Sequence, residues 1–128
     1  MNNRQKVRTD ILYYLSHPYT SYGDADLNRD NAILIECNLC NENNLSVINP
    51  VGLPLGFDNE FAMKKCRSLY DACDAIIFCD NWNKSQGCMT EHKWAVDDAK
   101  PKYRYRNGEL IVMNDYQEYL DSVLDPRD

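Results

Sequence analysis

No apolar run in the chain approaches the ~20 residues that a membrane helix needs. Basic residues are also in short supply, with 14 Lys and Arg against 20 Asp and Glu. The first shortage excludes a spanning helix. The second gives a formal net charge of −6 and excludes nucleic acid as the main partner, because phosphate backbones require a basic surface. A small anion needs only a few local donors, such as a helix N-terminus. Glycine and proline number five each and gather into no linker, and repeats and low-complexity tracts are missing. One domain over residues 1–128, built on one core, suits this length. Neither G-x-G-x-x-G nor a P-loop occurs, so the usual dinucleotide and nucleoside-triphosphate fingerprints are lacking. After MNNRQKVRTD no secretory h-region follows, since Asp10 and two tyrosines interrupt it. The expected location is therefore cytoplasmic.

Six cysteines are present. Cys37 and Cys40 form a C-x-x-C, but inside a helical pattern and with no second pair at metal-ligand spacing. Cys66, Cys73, Cys79 and Cys88 are scattered through apolar positions. Reduced, mostly buried thiols are expected, with no metal and no cofactor.

The chain alternates strand and helix. DILYYLS (10–16), LSVIN (45–49) and DAIIFCD (74–80) read as strands, the last a continuous apolar run fit for cover on both faces. Residues 26–42 read as a helix capped by Asp24 or Asp26, with Leu27, Leu34, Ile35 and Leu39 near one face. PVGLPLGF (50–57) is irregular. Residues 58–73 read as a helix capped by Asp58, with Phe61, Cys66, Leu69 and Cys73 inward. A further helix spans about 87–99. KYRYR (102–106) and ELIVM (109–113) flank Asn107-Gly108, a strong hairpin signal. A last helix covers 114–124, with Tyr116, Tyr119, Leu120 and Val123 at helical spacing. This order implies an α/β fold of three layers, a mostly parallel sheet of about five strands between helices.

In such sheets ligands bind beyond the carboxyl ends of the strands. Three loops meet there: 16–23, 50–57 and 80–87. They bring Ser16, His17, Tyr19, Thr20, Asn49, Asp80, Asn81, Trp82 and Ser85 to one edge. Cys88, Glu91, Ala95 and Ala99 share one stripe of the third helix. Glu91 thus points inward in the first turn, where the helix dipole favours a carboxylate. It is either a nucleophile or base beside a cleft, or a structural acid that caps its helix or pairs with Lys84 or Arg29. Ser85 and Gly87 would bring a hydroxyl and backbone N–H groups to a phosphate or ribose, or simply make a turn. His17 is a ligand contact or a loop residue. Trp82 either stacks on a base or plugs its loop into the core.

The order YYLSHPYTS, VINPVG, CRSLYDACDAIIFCDNW and S-x-G-x-x-x-E-x-x-x-A resembles the nucleoside 2-deoxyribosyltransferase superfamily, and its small phage and bacterial members in particular, over residues 10–100. The resemblance implies a flavodoxin-like fold acting on N-glycosidic bonds, with Glu91 as the nucleophile that attacks the sugar C1′. It makes Tyr14 the tyrosine that orients the nucleophile. It places Ser85 where 2′-deoxynucleoside 5′-phosphate N-hydrolases contact phosphate, with His17 and Thr20 in the loop that holds it. Where both characterised branches carry an Asp as proton donor to the base, this chain has Cys66, leaving Asp80 or Asp58 to stand in. The expected ligand is a nucleotide or nucleoside phosphate, cleaved or transferred by an N-glycosidase. The expected assembly is a homo-oligomer with its site near a subunit contact, in the cytoplasm of a bacterium or a phage-infected host. Two other readings stand beside this one. One is a protein that sequesters a nucleotide-derived signal without cleaving it, as in phage counter-defence, which Cys66 favours. The other is an α/β scaffold for protein contacts.

Overall fold

The computed structural model describes residues 7–53 and 59–124. Asp58 and residues 54–57 lie outside the described residues. Five strands form one sheet: β1 (Leu12–Ser16), β2 (Ser46–Ile48), β3 (Ala75–Phe78), β4 (Lys102–Arg106) and β5 (Glu109–Val112). Four helices alternate with them: α1 (Ala25–Glu42), α2 (Asn59–Asp71), α3 (Gln86–Asp98) and α4 (Asp115–Leu124). The strand order is β2-β1-β3-β4-β5. β1 pairs parallel with β2 and β3, β3 pairs parallel with β4, and β5 runs antiparallel to β4. The expected mostly parallel, flavodoxin-like three-layer fold is the one observed. The β4–β5 hairpin turns on Asn107 and Gly108 at φ 52° and 80°, the left-handed pair that matches strand twist.

From β1 the chain crosses to one edge of the sheet, then returns past β1 to β3 and β4. Right-handed crossovers therefore place α1 on one face and α2 and α3 on the other. The two cores follow the strand alternation. Tyr13, Leu15, Ala75 and Ile77 pack with Ala32, Ile35 and Leu39 of α1. Tyr14, Ile76 and Phe78 pack with Cys66 and Tyr70 of α2 and with Cys88 and Ala95 of α3. No helix among the described residues is long and apolar enough to cross a membrane.

Three helix faces differ from the sequence reading. In α1 the buried residues are Ala32, Ile35 and Leu39, while Leu27 and Leu34 are each 68% exposed. A small Ala32 lets the helix lie close to the sheet, and the stripe it shares with Ile35 and Leu39 leaves Leu34 about 130° round the helix. Phe61 of α2 is likewise exposed, under Lys64. In α4 Tyr119 and Val123 face outward and Asp121 is buried; the side chain of Tyr116 lies outside the description.

All six cysteines are free. Cys66, Cys73, Cys79 and Cys88 are buried, Cys40 is half-buried and Cys37 exposed. Among the described residues no three His, Cys, Asp or Glu side chains gather as a metal site would require.

Candidate active site

The strand order reverses between β1 and β3, because their following loops leave in opposite directions. The crevice at that point is where open α/β sheets take ligands. Ser85 caps α3 there, its Oγ accepting from the Cys88 N–H at 3.3 Å. Helical spacing then carries Cys88, Glu91 and Ala95 to the inner stripe, and all three are buried. Glu91 is 7% exposed.

Its carboxyl group meets β1 end-on. The Tyr14 hydroxyl donates to Oε2 at 2.5 Å, and the Ser16 hydroxyl donates to Oε1 at 2.7 Å. These residues are two apart on β1 and so share a face. Each carboxyl oxygen thus has one protein donor, and neither Lys84 nor Arg29 takes the role of partner. Burial pushes the Glu91 carboxyl up to about 7, against the pull of the two hydroxyl donors. Tyr14, fully buried, is driven far above the usual phenol range by burial and by the adjacent carboxylate. Its hydroxyl also has the Cys66 thiol of α2 as a hydrogen-bonding neighbour. Burial raises the Cys66 thiol, with the Tyr14 bond lowering it and Glu91 raising it. Cys88 is pushed up to about 12, mainly by burial and then by Glu91. The centre is therefore one carboxyl group in a wall of hydroxyls and protonated thiols.

The first loop closes over the start of α3. Ser21 Oγ lies 2.9 Å from Ser85 Oγ and accepts from the Gly87 N–H at 3.5 Å. Asn28 of α1 fixes this loop by donating to the Tyr19 and Tyr22 carbonyls at 2.9 and 2.6 Å. His17 is buried beneath it. Its Nδ1 donates to the Pro18 carbonyl at 2.7 Å and its Nε2 accepts from Asn31 Nδ2 at 2.8 Å. Burial lowers the imidazole's proton affinity, so it is a neutral staple with both nitrogens engaged. Thr20 is exposed on the same loop. Asn49, at the end of β2, is buried; its Nδ2 donates to Glu36 at 3.1 Å, while Oδ1 has no partner among the described residues.

On the β3 side, Asp80 is exposed and accepts from Arg104 of β4 at 2.8 Å. Trp82 is 6% exposed, stacks on His92 with ring centres 4.8 Å apart, and donates from Nε1 to Asp121 at 3.0 Å. It plugs its loop into the core. Tyr14, Ser16, Ser85, Gly87 and Glu91 thus come together around one point. His17, Asn49 and Trp82 are committed to holding the surrounding loops. A shallow groove lined by Gln86, Met89, Lys93 and Trp94 lies on the outer side of α3, across the helix from Glu91.

Ser21, Arg104 and Asp121 were missed by the sequence reading. Ser21 stands beside Thr20 in a loop where nothing in the sequence separates one hydroxyl from the other. Arg104 was open to detection: alternation in KYRYR sets it opposite Tyr103 and Tyr105, facing a covered side of the sheet.

No curated protein and no solved structure matches the chain. A family model matches residues 11–101, which run from the start of β1 past Glu91 to the end of α3. Every residue of the carboxyl cluster falls inside that span, and the chain belongs to the family described as "Domain of unknown function (DUF4406)".

Proposed function

We propose that the protein cleaves or transfers at the N-glycosidic bond of a (deoxy)nucleoside monophosphate or related nucleotide, with Glu91 as the nucleophile. The observation that carries this reading is the Glu91 carboxyl at the crevice between β1 and β3, held by Tyr14 at 2.5 Å and Ser16 at 2.7 Å. Two oriented donors fix the carboxylate without neutralising it, and charge-assisted bonds of this kind are strong. An anchored, poorly solvated carboxylate suits attack on C1′ of a sugar as the bond to the base breaks. The product is a glycosyl-enzyme, and its hydrolysis by water makes one hard displacement into two easier ones with retained configuration. Tyr14 acts as the positioning residue. Ser85, Ser21 and the Gly87 N–H at the α3 N-terminus suit a 5′-phosphate, in keeping with the anion preference of such ends. The sequence order that resembles the nucleoside 2-deoxyribosyltransferase superfamily supports the same reading, and with it a cytoplasmic homo-oligomer.

The test is incubation with nucleoside monophosphates and nucleosides, followed by chromatography and intact-mass analysis. Free base, a mass increase of one sugar phosphate, and loss of both in Glu91→Ala are expected. An intact nucleotide recovered only after heating the protein would favour sequestration instead, the reading that Cys66 at the acid position supports. Failure to bind or cleave any member of the panel would sink both.

A further inference from the structure

We infer that the site is built for N-glycosides whose base is a cation, such as a pyridinium or an N7-alkylated purine, rather than for ordinary neutral nucleotides. This inference rests on the glycosidic reading of Glu91 and names its substrate class.

A neutral purine or pyrimidine is a poor leaving group and departs well only when an acid protonates it. A group in that role contributes about 10²–10⁴-fold. Among the described residues, which do not include Asp58, the groups around Glu91 are already occupied otherwise. The position facing it across Tyr14 is the Cys66 thiol, buried and bonded to the Tyr14 hydroxyl. Cys88, on the same stripe, is a buried thiol as well. Asp80 is ion-paired with Arg104 at 2.8 Å. His17 gives Nδ1–H to the Pro18 carbonyl and Nε2 to Asn31. His92 turns away to Glu118 at 2.9 Å under Trp82. Among the described residues the crevice therefore offers a fixed carboxyl group and weakly acidic thiols.

A cationic base removes the need for an acid. Glu91 Oε forms a bond to C1′, and the C1′–N bond breaks with its electron pair going to the ring nitrogen. The positive ring leaves as a neutral molecule and no proton moves. Water then attacks C1′, the ester bond to Glu91 breaks, the sugar keeps the hydroxyl, and one proton passes to solvent. The cation also suits the ground state. A positive charge beside a buried carboxyl favours its ionised, nucleophilic form, whereas a neutral base leaves burial to favour the protonated form. The chain's net charge of −6 attracts a cation rather than repelling it.

The experiment compares release of base from two sets of compounds. One set is nicotinamide riboside, nicotinamide mononucleotide and N7-methylguanosine; the other is guanosine, inosine, thymidine and their 5′-monophosphates. Nicotinamide or 7-methylguanine should be released with kcat/KM at least ~10²-fold above any neutral compound, with loss in Glu91→Gln. Cys66→Asp, checked for folding by circular dichroism, should raise cleavage of neutral compounds by ~10²-fold. The wild-type ratio alone decides the matter if that variant does not fold. Neutral compounds cleaved as fast as cationic ones would overturn the inference and leave the glycosidic reading standing. No base released from either set would overturn both.

Discussion

Glu91 carries a stability signature that can be measured without knowing any substrate. Its carboxyl is pushed up from 4.5 to about 7 by burial. Between those values the folded chain holds a proton that the unfolded chain has already lost. Folding stability therefore falls as pH rises through the window from about 4.5 to 7, and the loss is complete above it. The shift corresponds to a cost on the order of 3 kcal/mol at neutral pH. Glu91→Gln keeps the shape and removes the charge, so it should match the parent near pH 4.5 and exceed it by about that amount at pH 8. Urea unfolding across pH 4.5–8 checks this, since other titrating groups cancel in the difference. Two parallel stability curves would show that Glu91 does not titrate there. Much of this residue's setting was legible. Spacing along α3 is enough to turn Glu91 inward, because a helix has a fixed period. Which hydroxyls meet it depends on how β1 docks against α3, and only the resemblance pointed to Tyr14. Whether Trp82 faces a ligand or the core was open in the sequence, because an aromatic side chain in a loop suits either until its neighbours are placed.

At the level of elements, strands and helices follow closely from punctuation and period, and the errors lie in which face turns inward. α1 shows why. Leu27 and Leu34 are as apolar as Ile35 and Leu39, but the sheet takes the stripe containing Ala32, Ile35 and Leu39, where a small residue permits close approach. Ile35→Ala should cost about 2–5 kcal/mol through lost burial and a residual cavity. Leu34→Ala, one residue away, should stay within ~0.5 kcal/mol. Chemical denaturation of the pair reads the rotation of α1 directly; equal costs would mean the helix is turned differently. The C-terminus of α3 offers a gain. Ala99 sits in the left-handed region at φ 54°, with its N–H bonded back to Ala95 and Val96. A side chain there costs roughly 1–2 kcal/mol, which glycine escapes. Offset by the extra freedom of glycine in the unfolded chain, Ala99→Gly should stabilise by up to ~1 kcal/mol, visible as a higher melting temperature. An unchanged or lower melting temperature would tell against strain at this cap.

Across the whole molecule, a buried acid in α4 helps tie the part beyond the matched family span to the crevice, beside β4 pairing with β3 and Glu118 meeting His92. Asp121 of α4 is 5% exposed and accepts from Trp82 Nε1 at 3.0 Å, from Arg104 Nε at 3.1 Å, and from Arg106. Arg104 is itself 4% exposed and reaches Asp80 and the Phe78 carbonyl. The same network therefore holds β4, α4 and the loop from Asp80 to Ser85, whose last residue caps the helix bearing Glu91. No sequence pattern links an acid in α4 to an arginine 17 residues earlier. The pair forms because alternation in β4 buries Arg104 and helical spacing in α4 buries Asp121, and a buried guanidinium needs a counter-charge. Asp121→Ala leaves that guanidinium with only the solvent-exposed Asp80 as counter-charge and should cost up to about 3–5 kcal/mol. It also frees the Trp82 indole, so the native-state fluorescence should shift, with Trp94 on the outer side of α3 as a steady background. Replacing both partners removes the stranded charge. Asp121→Leu combined with Arg104→Met should therefore be less destabilised than the sum of the single changes, the sign of a direct pair in a double-mutant cycle. Simple additivity would mean that α4 and the crevice loop are held independently, and that Asp121 does not hold the segment carrying Ser85.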